Sequence, residues 1–244
     1  MIWCWLPAEL PEEEINAKCR KVLTYKYILG LERKPFVKLS GLGTRINTPQ
    51  TRDLISRLNL AAITVLNNKN DVLPLHPDLK EAAILNVGKP EEIEPFDRKM
   101  KKYTSFARFQ LRKDLPEAEQ QKLRDSLAAY RRVIVTVTEQ RLAPYQSFFA
   151  KFAPESPVIY VFYTPAKSML QIQRAVSAAE AVVLAHASRD DVQERVADLL
   201  FGKATADGRL SASIGGLFPT GSGVTITPHT PFHFVPEEYG MKSE

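Results

Sequence analysis

The chain has 244 residues, of which 44% are hydrophobic and 25% charged, and a formal net charge of +5. This length suits one large domain with short additional pieces, and the composition excludes disordered, fibrous and disulfide-rich proteins. No apolar segment approaches the ~20 residues of a membrane-spanning helix, and residues 1–6 are too short and uncharged for a secretory signal. We therefore expect no membrane partner.

The basic residues are mostly dispersed along the chain. Two local concentrations, residues 98–102 and 131–132, lack the interleaved aromatic residues of a surface that stacks nucleic acid bases. Cys4 and Cys19 supply neither a disulfide framework nor the spacing of a zinc or redox motif. We expect no nucleic acid partner, and the cysteines do not indicate a compartment.

Near the N-terminus, the pattern predicts two helices joined by a linker. Residues 11–29 begin with Pro11 and three glutamates, and their apolar residues recur at helical intervals. Residues 31–47 have no sustained period and are predicted to form an extended linker. Thr48 is a favourable N-cap for a second helix. The buried face of this second helix is expected to contain Leu54, Leu58, Ala61 and Val65.

After a polar turn over residues 67–71, short apolar runs alternate with amphipathic stretches. The predicted strands are 82–87, about 106–111, 132–138, 158–163, 181–187 and 210–214. Asp114 and Glu117 are predicted to form a capping pair at the start of one helix, and Ser188 with Asp191 is predicted to cap the last helix. Two further helices are predicted near Leu142 and at Thr164 with Pro165. The central strands are apolar on both faces, which is typical of a sheet covered on both sides. This pattern predicts an α/β fold, a doubly wound, mostly parallel sheet of about five to six strands with helices on both faces (an α/β sandwich).

The common cofactor motifs are missing from the sequence. Residues 216–222 have the glycine spacing of a phosphate loop, but they lack its lysine and no helix follows. Only Gly88 stands at the first strand-to-helix turn, where a dinucleotide fingerprint needs several glycines. His229 and His233 are separated by Pro231, which prevents a helical metal-binding pair. We expect no cofactor and no metal.

Three residues are candidates for a ligand-binding site. His186 ends a predicted strand at the carboxyl edge of the sheet, where open α/β folds bind ligands. Asp190 and Asp191 stand beside it at the start of a helix, where paired carboxylates could perform acid and base chemistry. The simpler interpretation is a buried core histidine and two helix-capping aspartates.

Several segments resemble family 3 glycoside hydrolases. Residues 62–68 and 72–75 are similar to the opening of the second domain of that family, residues 18–31 to the final helix of the preceding TIM barrel, and residues 196–203 and 207–210 to the closing motif. The resemblance covers about residues 12–244.

Details of the motifs refine the resemblance. Asn68 matches the asparagine of a Lys-Asn pair, whereas Asn67 replaces its lysine, and Ser211 replaces a common proline. Residues 218–224 resemble bacterial β-N-acetylhexosaminidase-type members fused to a β-lactamase-like serine hydrolase, and residues 234–241 resemble the start of that fused domain. The parent enzyme would then belong to the bacterial periplasm or cell envelope.

The resemblance implies a division into residues 1–47 (the end of an upstream TIM barrel and a linker), 48–226 (the α/β sandwich) and 227–244 (a connector). Enzymes of this family are retaining glycosidases, which use two carboxyl groups about 5 Å apart. The family places these groups on the barrel, so we assign no catalytic residue to this chain.

We therefore expect an accessory domain that packs against the barrel and is not catalytic alone. Two alternatives remain. One is a stand-alone module that binds a small ligand or sugar near His186 and Asp190. The other is a different type of hydrolase acting through His186, Asp190 and Asp191.

Overall fold

The computed structural model describes residues 11–31, 39–76, 82–152 and 157–228. The chain divides into two compact units, residues 1–51 and 52–244. The α-helices are α1 (Glu12–Ile28), α2 (Leu42–Ile46), α3 (Pro49–Ala61), α4 (Glu94–Met100), α5 (Glu117–Ala128), α6 (Gln146–Lys151), α7 (Gln173–Ala178) and α8 (Asp190–Leu200). The strands are β1 (Thr64–Asn68), β2 (Ala82–Val87), β3 (Ala107–Leu111), β4 (Arg132–Val137), β5 (Val158–Phe162) and β6 (Ala181–Leu184). Short 3₁₀ helices cover Lys69–Asp71, Pro90–Ile93, Ala143–Tyr145 and Ala166–Ile172.

The six strands form one sheet in the order β1-β6-β5-β4-β2-β3. All neighbouring pairs are parallel except β1 and β6, which are antiparallel. Because the chain winds outward in both directions from β2 and β4, the predicted doubly wound, mostly parallel α/β sheet is confirmed.

Helices cover both faces of this sheet, as the apolar runs predicted. Successive side chains of a strand point to opposite faces. Ile134 therefore packs in a cluster with side chains of α4 and α8, whereas Val133 and Val135 pack in a second cluster with α5, α6 and α7. All three residues are fully buried, so β4 contributes no side chain to the molecular surface at these positions.

The structure corrects the predicted end of the second helix. The prediction carried helical spacing through Val65, but α3 ends at Ala61 and Val65 lies in β1, paired with Val183. The β-branched run Ile63-Thr64-Val65 favours an extended strand, and the register with β6 buries it. The predicted buried face is also wrong, because no residue of α3 is buried.

Residues 210–214 are not a sheet strand. Leu210 forms two hydrogen bonds with a turn later in the chain. Its amide donates to the Ser222 carbonyl (2.9 Å), and its carbonyl accepts from the Gly221 amide (2.8 Å). Ile214 forms only an isolated bridge with Phe218. The sheet position beside β6 is instead taken by β1, and Val224 bridges to Val65 of β1.

Helix capping is confirmed at one predicted position and wrong at two. The Thr51 amide donates to Thr48 Oγ1 at 3.1 Å, as expected of an N-cap. Pro116 rather than Asp114 precedes α5, with no side-chain cap. Arg189 precedes α8, again with no side-chain cap. Ser188 instead donates its hydroxyl to the Glu92 carbonyl at 3.3 Å.

The segment after α8 packs closely against β1 through glycine. A Cβ atom at Gly208 would lie 2.5 Å from the Ile63 carbonyl oxygen and 2.5 Å from Thr64 Oγ1. Such distances are too short for non-bonded atoms, so only glycine fits. A Cβ atom at Gly216, in the same segment, would meet no atom within 4 Å.

We predict that Gly208→Ala lowers the free energy of unfolding by about 1–3 kcal/mol, because the added methyl group forces the segment away from β1. Gly216→Ala is the matched control and should change stability by less than about 1 kcal/mol. Urea denaturation of the two variants measures both values. Equal stability of the two variants would contradict the close approach at Gly208.

Candidate functional site

The usual ligand position of an open α/β sheet is closed in this protein. Ligands commonly bind outside the carboxyl ends of the strands at the point where the strand order reverses, here between β2 and β4. Gly88 and Thr138 follow these strands, and a Cβ atom at Gly88 would overlap the Thr138 hydroxyl. The Val87 carbonyl also accepts hydrogen bonds from the amides of Thr138 (3.0 Å) and Glu139 (3.2 Å). These contacts leave no crevice between the two strand ends.

An open cleft lies at the carboxyl ends of β5 and β6. This cleft has a volume of about 490 Å³, within the usual range of small-ligand sites. Lys167, in the 3₁₀ helix after β5, and His186, after β6, line one part of it. Residues 208–215 line the other part, with Ala61 and Ala62 at the end of α3.

His186 occupies an unusual backbone conformation at this cleft. Its φ of 63° is in the left-handed region, and the Ala187 amide donates to the Ala185 carbonyl at 2.7 Å across it. This arrangement is a γ-turn of the rare, strained type. The turn places His186 on the surface, so the core-histidine interpretation is wrong. Partial burial of the ring lowers the pKa of His186 below its ordinary value.

Asp191 makes contacts within the fold and does not line the cleft. It accepts hydrogen bonds from Ser56 Oγ of α3 at 2.5 Å and from Arg189 Nε at 3.1 Å. Desolvation alone would raise the pKa of Asp191, but the hydrogen bonds from Ser56 and Arg189 outweigh it and lower the pKa. The carboxylate therefore stays ionised and connects α3 to the start of α8.

Of the three candidates, only His186 lines the cleft. Asp190 is an exposed residue in the first turn of α8. The structure therefore brings His186 together with Lys167, Arg209 and Ser211, none of which the sequence offered as a site residue. Lys167 belongs to no motif, and only its position after the end of β5 could have indicated it.

Asn68, the asparagine shared with the family motif, stabilises a turn. Its Nδ2 donates to the Leu73 carbonyl at 2.8 Å, and its Oδ1 accepts from the Leu73 amide at 2.9 Å. Both bonds hold the chain where it leaves β1. Asn67 makes one longer side-chain bond, from Nδ2 to the Ala179 carbonyl at 3.3 Å.

Among the described residues, no group of three or more histidine, cysteine, aspartate or glutamate side chains is placed to hold a metal ion. His229 and His233 lie outside the described residues. Within the described ranges, no helix is both long and apolar enough to cross a membrane.

The sequence matches no family model and no curated protein. Solved structures do match in fold. One is a fungal multi-domain GH3 β-N-acetylglucosaminidase, with a TM-score of 0.55 and 17% identity over 80% of this chain and 22% of that chain. Another is the β-glucoside phosphorylase BglX, with a TM-score of 0.53 and 16% identity over 93% of this chain and 40% of that chain. A third is a β-glucosidase from Listeria innocua, with a TM-score of 0.52 and 17% identity over 84% of this chain and 33% of that chain.

These likenesses show a shared fold. The chain spans only 22% to 40% of the length of the solved proteins that it resembles. The fold is therefore one that is found as part of longer carbohydrate-active enzymes.

We predict that the stability of the protein depends on pH through His186. The pKa of His186 in the folded protein is lowered from about 6.5, its value in an unfolded chain, so protonation favours unfolding. Stability that is present above about pH 6.5 should fall as the pH decreases. His186→Asn keeps a residue that tolerates the left-handed region but does not titrate.

Thermal denaturation between pH 7.5 and 5 should therefore show the wild type losing stability relative to His186→Asn. NMR titration should show a histidine resonance with a low pKa that is absent from His186→Asn and present in the control His76→Asn. A parallel pH dependence of the two proteins would contradict the partial burial of the ring.

We also predict that Asn68→Ala costs about 1–3 kcal/mol of unfolding free energy, since it leaves a backbone amide and a carbonyl without their partners. Asn67→Ala is the neighbouring control and should cost less, because it removes one long hydrogen bond. Chemical denaturation measures both. A larger loss at Asn67 would show that Asn68 is not the main support of the turn.

Proposed function

We propose that this chain is an accessory α/β sandwich domain of a family 3 glycoside hydrolase and that it is not catalytic alone. The observation that carries the proposal is the fold shared with enzymes of which this fold is only a part, including a GH3 β-N-acetylglucosaminidase and a β-glucosidase. The motif resemblances at residues 62–75 and 196–210 support the same assignment. In this role the domain packs against a catalytic TIM barrel and stabilises it.

Exposed apolar side chains on α1 support a partner surface. No residue of α1 is buried, and Ile15 and Val22 are 51% and 54% exposed. Leu23 and Ile28 on the same helix are exposed as well. Several large apolar side chains on one exposed helix are typical of a surface that another body covers. In the proposal, residues 1–47 belong to the end of the barrel and its linker.

The finer assignment rests on the sequence resemblance. It makes the parent a bacterial enzyme of the β-N-acetylhexosaminidase type, in the periplasm or cell envelope, with residues 227–244 connecting to a serine-hydrolase module. Residues 234–241, on which the connection depends most, lie outside the described residues.

The cleft at the carboxyl edge favours a second candidate function, a module that binds a small ligand or sugar. Its volume of about 490 Å³ would accept a molecule of monosaccharide size, and His186 lines it. Asp190 and Asp191 do not line it, so the ligand would meet His186 and the neighbouring cations.

We predict that the purified chain does not hydrolyse chromogenic β-glucosides or β-N-acetylglucosaminides, because we assign it no pair of catalytic carboxyl groups. The measurement is the release of p-nitrophenol above the rate without protein. Hydrolysis that survives further purification would contradict the proposal.

The positive test is complex formation. When co-expressed with the family 3 catalytic barrels of the source organism, the tagged chain should co-purify with one of them in a 1:1 ratio. Val22→Gln with Leu23→Gln should abolish the complex, because the substitutions remove apolar contact area from α1. Arg20→Gln with Lys21→Gln is the matched control on the same helix and should retain the complex. Failure to capture any barrel would contradict the accessory role.

A further inference from the structure

We propose that the cleft beside His186 binds a small polar molecule of monosaccharide size that carries a phosphate or a carboxylate. Its two cationic side chains, Lys167 and Arg209, lack carboxylate partners among the described residues. No acidic residue lines the cleft. An anionic group on the ligand would supply the missing negative charge.

Lys167 is an exposed cation at the mouth of the cleft. Within the described part of the chain, its ammonium group makes no ion pair or hydrogen bond. Elsewhere in the domain some cations are paired: Arg108 Nε lies 2.7 Å from Asp97, and Lys99 Nζ lies 3.0 Å from Asp198.

Arg209 is held in place by neutral acceptors. Its guanidinium donates to the carbonyl oxygens of Asp207 (3.1 Å) and Gly208 (3.0 Å) and to Thr225 Oγ1 (2.7 Å). These bonds fix the position of the group but leave its charge uncompensated. A guanidinium positioned in this way is well suited to bind a phosphate or carboxylate.

The backbone between Arg209 and Ile214 adds further donors. The amides of Ser211, Ala212 and Ser213 donate no hydrogen bond to any described residue, whereas those of Leu210 and Ile214 are paired. Consecutive free amides are a recurring feature of anion-binding sites. The irregular conformation of this segment, which the sequence pattern misassigned to a strand, therefore makes these donors available.

The remaining lining is apolar. Leu170 is 40% exposed and packs against Gly215, while Ala61, Ala62 and Ala166 contribute methyl groups. A site lined by both cationic and apolar residues suits a ligand with an anionic group and a face of C–H groups, such as a sugar phosphate or a uronic acid. Binding there does not depend on whether the chain pairs with a barrel.

The experiment is a titration of the ¹⁵N-labelled full chain at constant ionic strength with four probes: inorganic phosphate, glucose 6-phosphate, glucuronate and glucose. We expect glucose 6-phosphate or glucuronate to saturate, with amide shifts at Lys167 and Ser211 to Ser213. Glucose should bind roughly tenfold more weakly, since it lacks the charge. Saturation by only one of the two charged sugars identifies phosphate or carboxylate as the recognised group. Inorganic phosphate should shift the same amides, and shifts confined to other regions would overturn the proposal.

Variants test the assignment of the site. Lys167→Gln and Arg209→Gln should each weaken binding of the saturating probe by roughly tenfold. Lys122→Gln removes the same charge from α5 and should leave binding unchanged, and melting temperatures near that of the wild type would show that all three variants fold. The proposal is overturned if neither charged sugar saturates, if glucose binds equally well, or if the two cleft variants bind like the Lys122 variant.

Discussion

Both faces of β4, β5 and β6 are buried, so the side chains of these strands meet only other side chains. Almost every residue in them is apolar, because a polar group buried there would need a partner within the sheet. Thr136 is such a case, and its hydroxyl bonds to Asn86 Oδ1 on β2 at 3.2 Å. The double burial stabilises the fold and leaves only the strand ends and loops for contact with ligands.

The loops divide the carboxyl edge into a closed part and an open part. Gly88 and Thr138 close the ends of β2 and β4, where a ligand crevice is usual. The cleft lies at the ends of β5 and β6. Lys167 and His186, which follow these two strands, line it. The opposite wall, residues 208–215, is held by the close approach of Gly208 to β1. The shape of the cleft thus depends on β1, the strand that the sequence did not reveal.

The sequence predicted the parts of the fold that burial determines. Runs such as Val133 to Val137 are apolar on both faces, and only a covered sheet satisfies them. β1 was not predicted, because Ala61 and Val65 fit helical spacing. Only the pairing of Val65 with Val183 of β6 shows that Val65 is extended. That two cations line one cleft could not be predicted. Lys167 and Arg209 are 42 positions apart in the sequence and line the same cleft only because the fold places both at one edge.

Hydrogen exchange of the backbone amides tests this arrangement most directly. Amides of β4 should exchange only when the whole domain unfolds, because both faces of the strand are buried. Those of Ser211, Ala212 and Ser213 should exchange orders of magnitude faster, because they have no acceptor among the described residues. Protection of Ser211 to Ser213 equal to that of β4 would mean that residues 210–214 form a sheet strand after all, and the open, cationic edge would not exist.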